Sequence, residues 1–188
     1  MGQESVEVVR QPLRVNERTR RTLDQRLNLR FPGLARRTAR LVAQLPPRSR
    51  LRQAALLRAV RLSIEAYNRR DLDAVVAGWD PDFEYLPDRT WVEAGLVDPC
   101  YRGVAGYRRY IATADEAWGE ENRLSPLEVI DLGERFVLLA DVSMRGQGSG
   151  VPLTQAYAVV VTLRDGIPVK YEEYFDRGAG LAAVGLSS

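Results

Sequence analysis

Two segments in the last third of the chain combine carboxylates with apolar or aromatic neighbours, a pattern that suits proton transfer. Asp141 stands inside the apolar run LLADVSM, where a carboxylate that has lost its hydration can act as a general base. Tyr171 and Glu173 alternate along KYEEYF, so they share one face of a strand. A tyrosine hydroxyl beside a carboxylate can stabilise an enolate while the carboxylate moves the proton. We therefore predict Asp141, Glu173 and Tyr171 as the catalytic candidates.

Each of these candidates also has a purely structural interpretation. Asp141 can pair with an arginine at the rim of a sheet, and Arg145 follows four residues later on the same face of the strand. The tyrosine and the glutamate of the last strand can be ordinary half-buried residues. The opposite face of that strand carries a similar pair, Glu172 and Tyr174, and alternation alone does not say which pair points inward.

The chain contains no histidine, which excludes a Ser-His-Asp triad, a Cys-His pair and a histidine metal site. Its single cysteine, Cys100, excludes an intramolecular disulfide and a cysteine zinc cage. The GQGSG segment (146–150) joins two strands instead of a strand and a helix, so we expect no phosphate-binding role for it. Acid–base chemistry must use Asp, Glu, Tyr, Arg or water, and we predict a site without metal or cofactor.

Aromatic residues recur through the helical half and the strands, and they are candidate walls of a ligand pocket. The predicted pocket residues are Tyr67, Trp79, Tyr85, Trp91, Tyr107, Trp118 and Tyr157. Trp91 is the best candidate for a lid, because residues 87–102 show no regular hydrophobic period. The alternative is that these aromatic side chains simply fill the core.

The chemistry would be positioned by helices followed by strands. Apolar residues recur every three or four positions in three segments: residues 34–45, 50–69 and 103–121. Apolar strand patterns follow in four segments: residues 127–132, 136–145, 153–164 and 168–176. Asp165-Gly166 is a strong signal for a two-residue hairpin between the last two strands. This order predicts an α+β fold in which helices lie in one curved antiparallel sheet and leave an apolar hollow.

Charge is unevenly distributed along the chain. Residues 1–70 hold 17 arginines against five acidic residues, a net charge of +12, whereas residues 71–188 have a net charge of −10. We therefore divide the chain into an arginine-rich helical extension, residues 1–48, and a main domain, residues 49–188. We favour pairing of the basic part with acidic groups of its own chain or of a partner subunit, and a nucleic-acid or membrane partner is not expected.

No segment is long and apolar enough for a membrane span, and the N-terminal residues lack the apolar core of a secretory signal. We expect a cytoplasmic protein. The second and third long strands are apolar on both faces, which a sheet covered on one side should not be. This predicts a homodimer.

Three segments together resemble the SnoaL-like branch of the nuclear-transport-factor-2-like superfamily. They are AYNRRDLDAVVAGWDPDFEY (66–85), YRGVAGYRRYIATADEAW (101–118) and TLRDGIPVKYEEYFDRGAGLAAVGL (162–186). The resemblance covers residues 50–186. It implies a cone-shaped roll, in which a strongly curved antiparallel sheet wraps around helices, and it implies that Trp118 faces the cavity.

Relatives in this superfamily include polyketide cyclases, ketosteroid isomerases and epoxide hydrolases, with catalytic groups at different places in the same cone. The resemblance thus implies a small-molecule-binding protein with an apolar pocket. It can be a cofactor-free cyclase, isomerase or hydrolase that acts through a carboxylate. The alternative is a non-catalytic ligand-binding or dimerisation module with a basic N-terminal arm.

Overall fold

The computed structural model describes residues 8–119, 121–145 and 152–187. The helices in these ranges are α1 (Leu23–Arg30), α2 (Pro32–Ala43), α3 (Arg50–Asn68), α4 (Leu72–Val76), α5 (Arg89–Glu93), α6 (Gly103–Trp118) and α7 (Arg177–Ala182). The strands are β1 (Val9–Pro12), β2 (Glu84–Leu86), β3 (Tyr101–Arg102), β4 (Arg123–Asp131), β5 (Arg135–Arg145), β6 (Pro152–Arg164) and β7 (Ile167–Tyr174). The glycine-rich segment 146–150 lies outside the described residues.

All seven strands form one sheet in the order β1-β4-β5-β6-β7-β2-β3. Neighbouring strands are antiparallel except β2 and β7, which pair in parallel. Helices from the first half of the chain pack against the inner face of this sheet, and side chains of α3, α4 and α6 share one apolar core with it. The predicted α+β fold, with N-terminal helices and a mostly antiparallel sheet, is confirmed.

Two helices begin directly after residues whose side chains cap them. Ser49 accepts a hydrogen bond from the backbone of Arg52 at the start of α3, and Asp71 accepts one from Ala74 at the start of α4. The turn between β6 and β7 also matches its sequence. Asp165 and Gly166 both have positive φ, 53° and 74°, as a two-residue hairpin of the primed type requires.

Two segments that the sequence left irregular contain regular structure. β1 lies within residues 1–17 and pairs with β4 at the edge of the sheet. The residue after it, Leu13, is only 1% exposed and belongs to the main core. Residues 87–102, predicted as a loop, contain α5 and β3. The segment before Ser49 therefore adds a strand and a core residue to the main fold.

The two faces of β5 and β6 contact different partners. Phe136 and Val159 point to the main core on the inner face, whereas Val137 and Val160 point outward. Leu181 of α7 covers this outer face, together with apolar residues that follow the helix. The chain's own C-terminus thus accounts for the apolar outer face from which a homodimer was predicted. The homodimer itself stays a prediction.

Arg52 joins the N-terminal helices to the sheet. Its side chain is 7% exposed and donates to both oxygens of Asp131 in β4, at 2.9 and 3.0 Å. It also donates to the backbone carbonyls of Ala43, Leu45 and Gly133, so all of its donors are used. The basic part of the chain is thereby tied to an acidic residue of its own second part. No helix among the described residues has the length and hydropathy that crossing a bilayer would need.

Candidate functional site

A cavity of about 570 Å³, here called the chamber, lies between the helices and the inner face of the sheet. Its sheet wall is formed by apolar side chains of β5 and β6, among them Phe136, Leu138 and Val161. Its other walls come from α3 and α6, from α1 and α2, which contribute Leu27 and Val42, and from Phe31 between those two helices. The N-terminal helices are therefore part of the enclosure.

The predicted pocket residues are distributed as follows. Six of the seven contact the chamber: Tyr67, Trp79, Tyr85, Trp91, Tyr107 and Tyr157. Trp118 does not contact it. The Trp118 ring stacks on the ring of Trp91, which lines the chamber, with 6.1 Å between the ring centroids. The inward orientation that the resemblance implied for Trp118 is thus not found.

Glu173 projects from β7 into the chamber and is 7% exposed. The hydroxyl of Tyr110, on α6, donates to its Oε2 atom at 2.6 Å, and the backbone N–H of Asp88 lies 3.4 Å from the same atom. The charged lining residues at the helical end of the chamber have ionic partners, since Asp24 pairs with Arg58 and Arg52 pairs with an aspartate. Glu173 has no ion pair among the described residues.

A second tyrosine completes a buried network around this carboxyl. Tyr157, on the neighbouring strand β6, has its side chain near Glu173 and favours the charged form of that carboxyl. The hydroxyl of Tyr157 lies 3.4 Å from the hydroxyl of Tyr85 on β2. Helix α6 and three strands of the sheet thus direct one carboxyl and three hydroxyls to a single region of the chamber.

Asp88 holds the rim of this region in place. Its Oδ1 atom caps α5 by accepting from the backbone and the hydroxyl of Thr90, at 2.8 and 2.5 Å. Its Oδ2 atom accepts from the backbone N–H of Phe175, at 2.8 Å, just beyond the end of β7. Asp88 therefore fixes α5, which carries Trp91, to the strand that carries Glu173.

Burial sets the protonation of the cluster. Loss of hydration raises the pKa of the Glu173 carboxyl from 4.5 to about 7, while the side chains of Tyr110 and Tyr157 act in the opposite direction. Burial also raises the pKa of Tyr110, Tyr157 and Tyr85 well above 10. Near neutral pH, Glu173 can therefore accept or release a proton, while the tyrosines remain hydrogen-bond donors.

The other two catalytic candidates occupy different environments. Tyr171 lines the chamber two residues before Glu173, but its ring stacks on Trp79 at 3.9 Å between centroids. Its hydroxyl makes no hydrogen bond among the described residues. The tyrosine hydroxyls beside the carboxyl are supplied by Tyr110 and Tyr157 instead.

Asp141 has to be removed from the candidate catalytic set. Its neighbours Ala140 and Val142 belong to the core on the inner face of β5, so Asp141 lies on the outer face, away from the chamber. There it pairs with Arg177 at the start of α7. This is the structural alternative considered for the residue, with Arg177 as the partner in place of Arg145.

Asp88 and the hydrogen bond of Tyr110 are the parts of the site that sequence reasoning missed. Helical spacing makes Tyr110 a candidate pocket wall on the buried side of its helix, but a 3.6-residue period identifies a buried face and not the partner of a hydroxyl. Asp88 precedes Arg89 and Thr90 in a segment without a clear pattern. Its N-cap role was a detectable signal, since Asp is among the preferred residues at that position.

The arrangement suits proton transfer or the binding of a polar oxygen in apolar surroundings. A carboxyl near its titration point can remove a proton from carbon or oxygen, and tyrosine donors can stabilise the resulting oxyanion. Within the described ranges, no group of three or more His, Cys, Asp or Glu side chains is placed to hold a metal ion.

Comparisons with solved structures identify the fold. TerC, crystallised with polyporic acid, is 27% identical, with a TM-score of 0.57 over 65% of this chain and 92% of that chain. An NTF2-like protein of unknown function from Burkholderia pseudomallei is 28% identical, with a TM-score of 0.57 over 69% of this chain and 96% of that chain. A protein proposed to be a polyketide cyclase from Xanthomonas campestris pv. campestris is 20% identical, with a TM-score of 0.53 over 71% and 98%.

The sequence comparisons show to which family the chain belongs. No curated protein matches the chain. A model of the SnoaL-like domain family matches residues 60–171, which include β2, α6, β4, β5, β6 and most of β7. These residues make up more than half of the chain and most of the chamber's sheet wall. The chain therefore belongs to the SnoaL-like domain family of NTF2-like proteins.

Proposed function

We propose that this protein binds a small, largely apolar carbonyl compound in the chamber and that Glu173 transfers a proton on it without a cofactor. The observation that carries the proposal is a buried carboxyl without an ion pair among the described residues, hydrogen-bonded by the hydroxyl of Tyr110 at the wall of an apolar cavity. Such a group is matched to general acid–base catalysis near neutral pH.

The proposed step begins with the ionised Glu173. Its carboxylate removes a proton from the carbon next to the substrate carbonyl, so that a C–H bond breaks and an O–H bond forms. The electron pair moves onto the carbonyl oxygen, and a tyrosine hydroxyl stabilises the enolate. Return of the proton to another carbon gives isomerisation. Attack of the enolate carbon on a second carbonyl of the same molecule forms a C–C bond and an alkoxide, and the proton held by Glu173 passes to that alkoxide to complete aldol ring closure.

The relatives support an apolar, oxygen-bearing guest. TerC was crystallised with polyporic acid, and it is 27% identical to this chain. A chamber of about 570 Å³ leaves room for a compound with one to several rings. We therefore include polycyclic ketones and hydroxyquinones in the proposed substrate class.

Exchange of carbon-bound hydrogen in D₂O tests the catalytic step directly. A panel of bicyclic aryl ketones such as 2-tetralone would be followed by NMR for loss of the α-proton signal. The wild type is expected to accelerate exchange for ketones that bind, and Glu173→Gln should slow it about 100-fold or more. Glu172→Gln, on the opposite face of β7, is the matched control. Equal rates for Glu173→Gln and the wild type would reject Glu173 as the base.

Ligand binding without turnover is the second candidate function. It is favoured by the two hydrogen bonds that Oε2 of Glu173 already receives, because these donors fix the carboxyl in a position from which it can orient a ligand oxygen. In that case the same ketones would bind saturably with no enzyme-dependent exchange. We further propose that the protein is cytoplasmic and that it acts as a homodimer. Sedimentation velocity would test the oligomeric state.

A further inference from the structure

A polar cluster lies beside the chamber, where the end of α3 meets the start of β4. The side chain of Asn68 makes two 2.8 Å hydrogen bonds to the backbone of Leu124, one as donor and one as acceptor. Arg70 follows Asn68 by two residues, and Asn122 precedes Leu124 by two. The Asn68–Leu124 clamp therefore brings Arg70 and Asn122 to the same end of the fold.

Arg70 stands at a position where most chains would place glycine. Its φ is +62°, and the backbone N–H groups of Arg70 and Asp71 bond to the carbonyls of Tyr67 and Ala66, which is a Schellman ending of α3. An arginine in this conformation has a steric cost that glycine avoids. Its side chain is used instead, since it pairs with Asp115, and its positive charge lies near Tyr67, which lines the chamber.

Two buried polar atoms in this cluster have no hydrogen-bond partner in the described structure. One is Nη1 of Arg70, a donor, and the other is Oδ1 of Asn122, an acceptor on a side chain that is only 5% exposed. A buried polar atom without a partner costs free energy that a ligand can recover. Together they match a ligand group that carries an oxygen acceptor beside a hydroxyl or a water.

The surroundings of the two atoms favour an anion. A second cavity is lined by three arginines, Arg70, Arg123 and Arg145. Two carboxylates partly balance their charge: Glu121, which lines the same cavity, and Asp115, which pairs with Arg70. Arg145 and Glu121 are 3.7 Å apart, whereas Arg123 makes no hydrogen bond or ion pair among the described residues. Asn122 and Met144 line both this cavity and the chamber, so the two are adjacent.

We propose that Arg70 and Arg123 form an anion subsite that binds a carboxylate or similar oxygen anion of the ligand whose apolar part occupies the chamber, with a water donating to both the anion and Oδ1 of Asn122. The proposal rests on the proposed function only in requiring that the chamber binds a ligand. It narrows the substrate class to apolar acids, with the acidic group held at the end of α3. The reacting carbon faces Glu173.

Two fluorescent probes with the same ring system measure how much an anionic group contributes to the binding affinity. 8-Anilinonaphthalene-1-sulfonate carries a sulfonate, which stands in for the ligand's oxygen anion, and N-phenyl-1-naphthylamine lacks it. Titrations at fixed ionic strength would compare the wild type with Arg70→Gly and Arg123→Gln. Arg70→Gly suits the positive φ of this position, so it removes the guanidinium without straining the backbone. Arg109→Gln, an exposed arginine on α6 paired with Asp98, is the control.

The anion subsite predicts a selective loss. Arg70→Gly should weaken sulfonate binding about tenfold, and Arg123→Gln, whose side chain is exposed, about threefold. The neutral probe should keep its affinity in both variants, and Arg109→Gln should leave both affinities unchanged. Equal weakening of both probes, or unchanged sulfonate affinity, would overturn the subsite while leaving the chamber intact. If neither probe bound the wild type, the chamber's role in ligand binding would fail, and the subsite with it.

Discussion

The hydroxyl of Tyr110 donates a 2.6 Å hydrogen bond to Oε2 of Glu173, across a sequence separation of 63 residues. This contact joins the middle of α6 to the inner face of β7. It also stabilises the charged form of a carboxyl that burial would otherwise keep protonated. The protonation of Glu173 is therefore a balance between lost hydration and donated hydrogen bonds.

Removal of that hydroxyl should shift the balance. In Tyr110→Phe the carboxylate loses a donor, so we expect the pKa of Glu173 to rise above its value of about 7. Carbon-13 NMR titration of labelled glutamate side chains would measure it, with the signal assigned from Glu173→Gln. Tyr171→Phe is the control, because its hydroxyl is not bonded to the carboxyl, and should leave the titration unchanged. A lower pKa in Tyr110→Phe would contradict this account.

The raised pKa of Glu173 also predicts how stability depends on pH. In the unfolded chain the carboxyl ionises near its ordinary pKa of 4.5, but in the folded chain it holds its proton until about pH 7. The contribution of this carboxyl to the free energy of unfolding is therefore complete below pH 4.5. It falls by roughly 3 kcal/mol as the pH rises to 7.

Glu173→Gln removes this titration. We expect the variant to be more stable than the wild type at pH 8, while the two differ much less at pH 4. Urea unfolding at both values would measure the difference, and Glu172→Gln should show no such pattern. If Glu173→Gln instead lost stability relative to the wild type between pH 4 and pH 8, the buried carboxylate would have to be stabilised by groups other than those described.

The Arg52–Asp131 pair should be essential to stability. Arg52→Met would leave a buried carboxylate without its cation, with a loss of about 3–5 kcal/mol in the free energy of unfolding. The double variant Arg52→Met/Asp131→Leu removes both charges and should cost clearly less than the sum of the two single variants. Chemical denaturation of the four proteins gives this cycle. Strict additivity would show that the two side chains act independently.

The contact between α2 and the β6–β7 turn can be tested at Gly166. A Cβ there would meet the Cβ of Ala43 at 2.6 Å and the carbonyl of Ala39 at 2.7 Å, and φ is +74°. Gly166→Ala should thus cost about 2–4 kcal/mol. Gly95→Ala has a similar φ, +68°, with open space around the Cβ, so it should cost about 1 kcal/mol. Equal losses in thermal unfolding would mean that α2 does not press on the turn.

Local signals made the main strands and their last turn predictable. Apolar runs rich in β-branched residues and an Asp-Gly dipeptide act within a few residues, so they identified β5, β6 and β7 correctly. β1 was missed because its four residues include Pro12 and it exists only through pairing with β4, more than 100 residues away. Such an edge strand has little signal of its own.

The site was predictable in part for the same reason. Alternation showed that Tyr171 and Glu173 share a face, and the structure places both at the chamber. It could not show which face of β5 points inward, because both faces are apolar, and Asp141 was assigned to the wrong one. The hydrogen bonds of Tyr110 and Asp88 to Glu173 depend on the docking of α6 and α5 against the sheet, which no local pattern records.

The family match begins at residue 60, yet Phe31, between α1 and α2, and Val42 of α2 contact the chamber. The chamber wall thus has two parts: residues from the matched region and the end of β7, which include Tyr110 and Glu173, and the segment before residue 60 that contains α1 and α2. Homologues with the same reacting side chains but a different segment before residue 60 would still admit ligands of different size. Replacing that segment in such a homologue with α1 and α2 of this chain would transfer the selectivity for ligand size without changing the reacting groups.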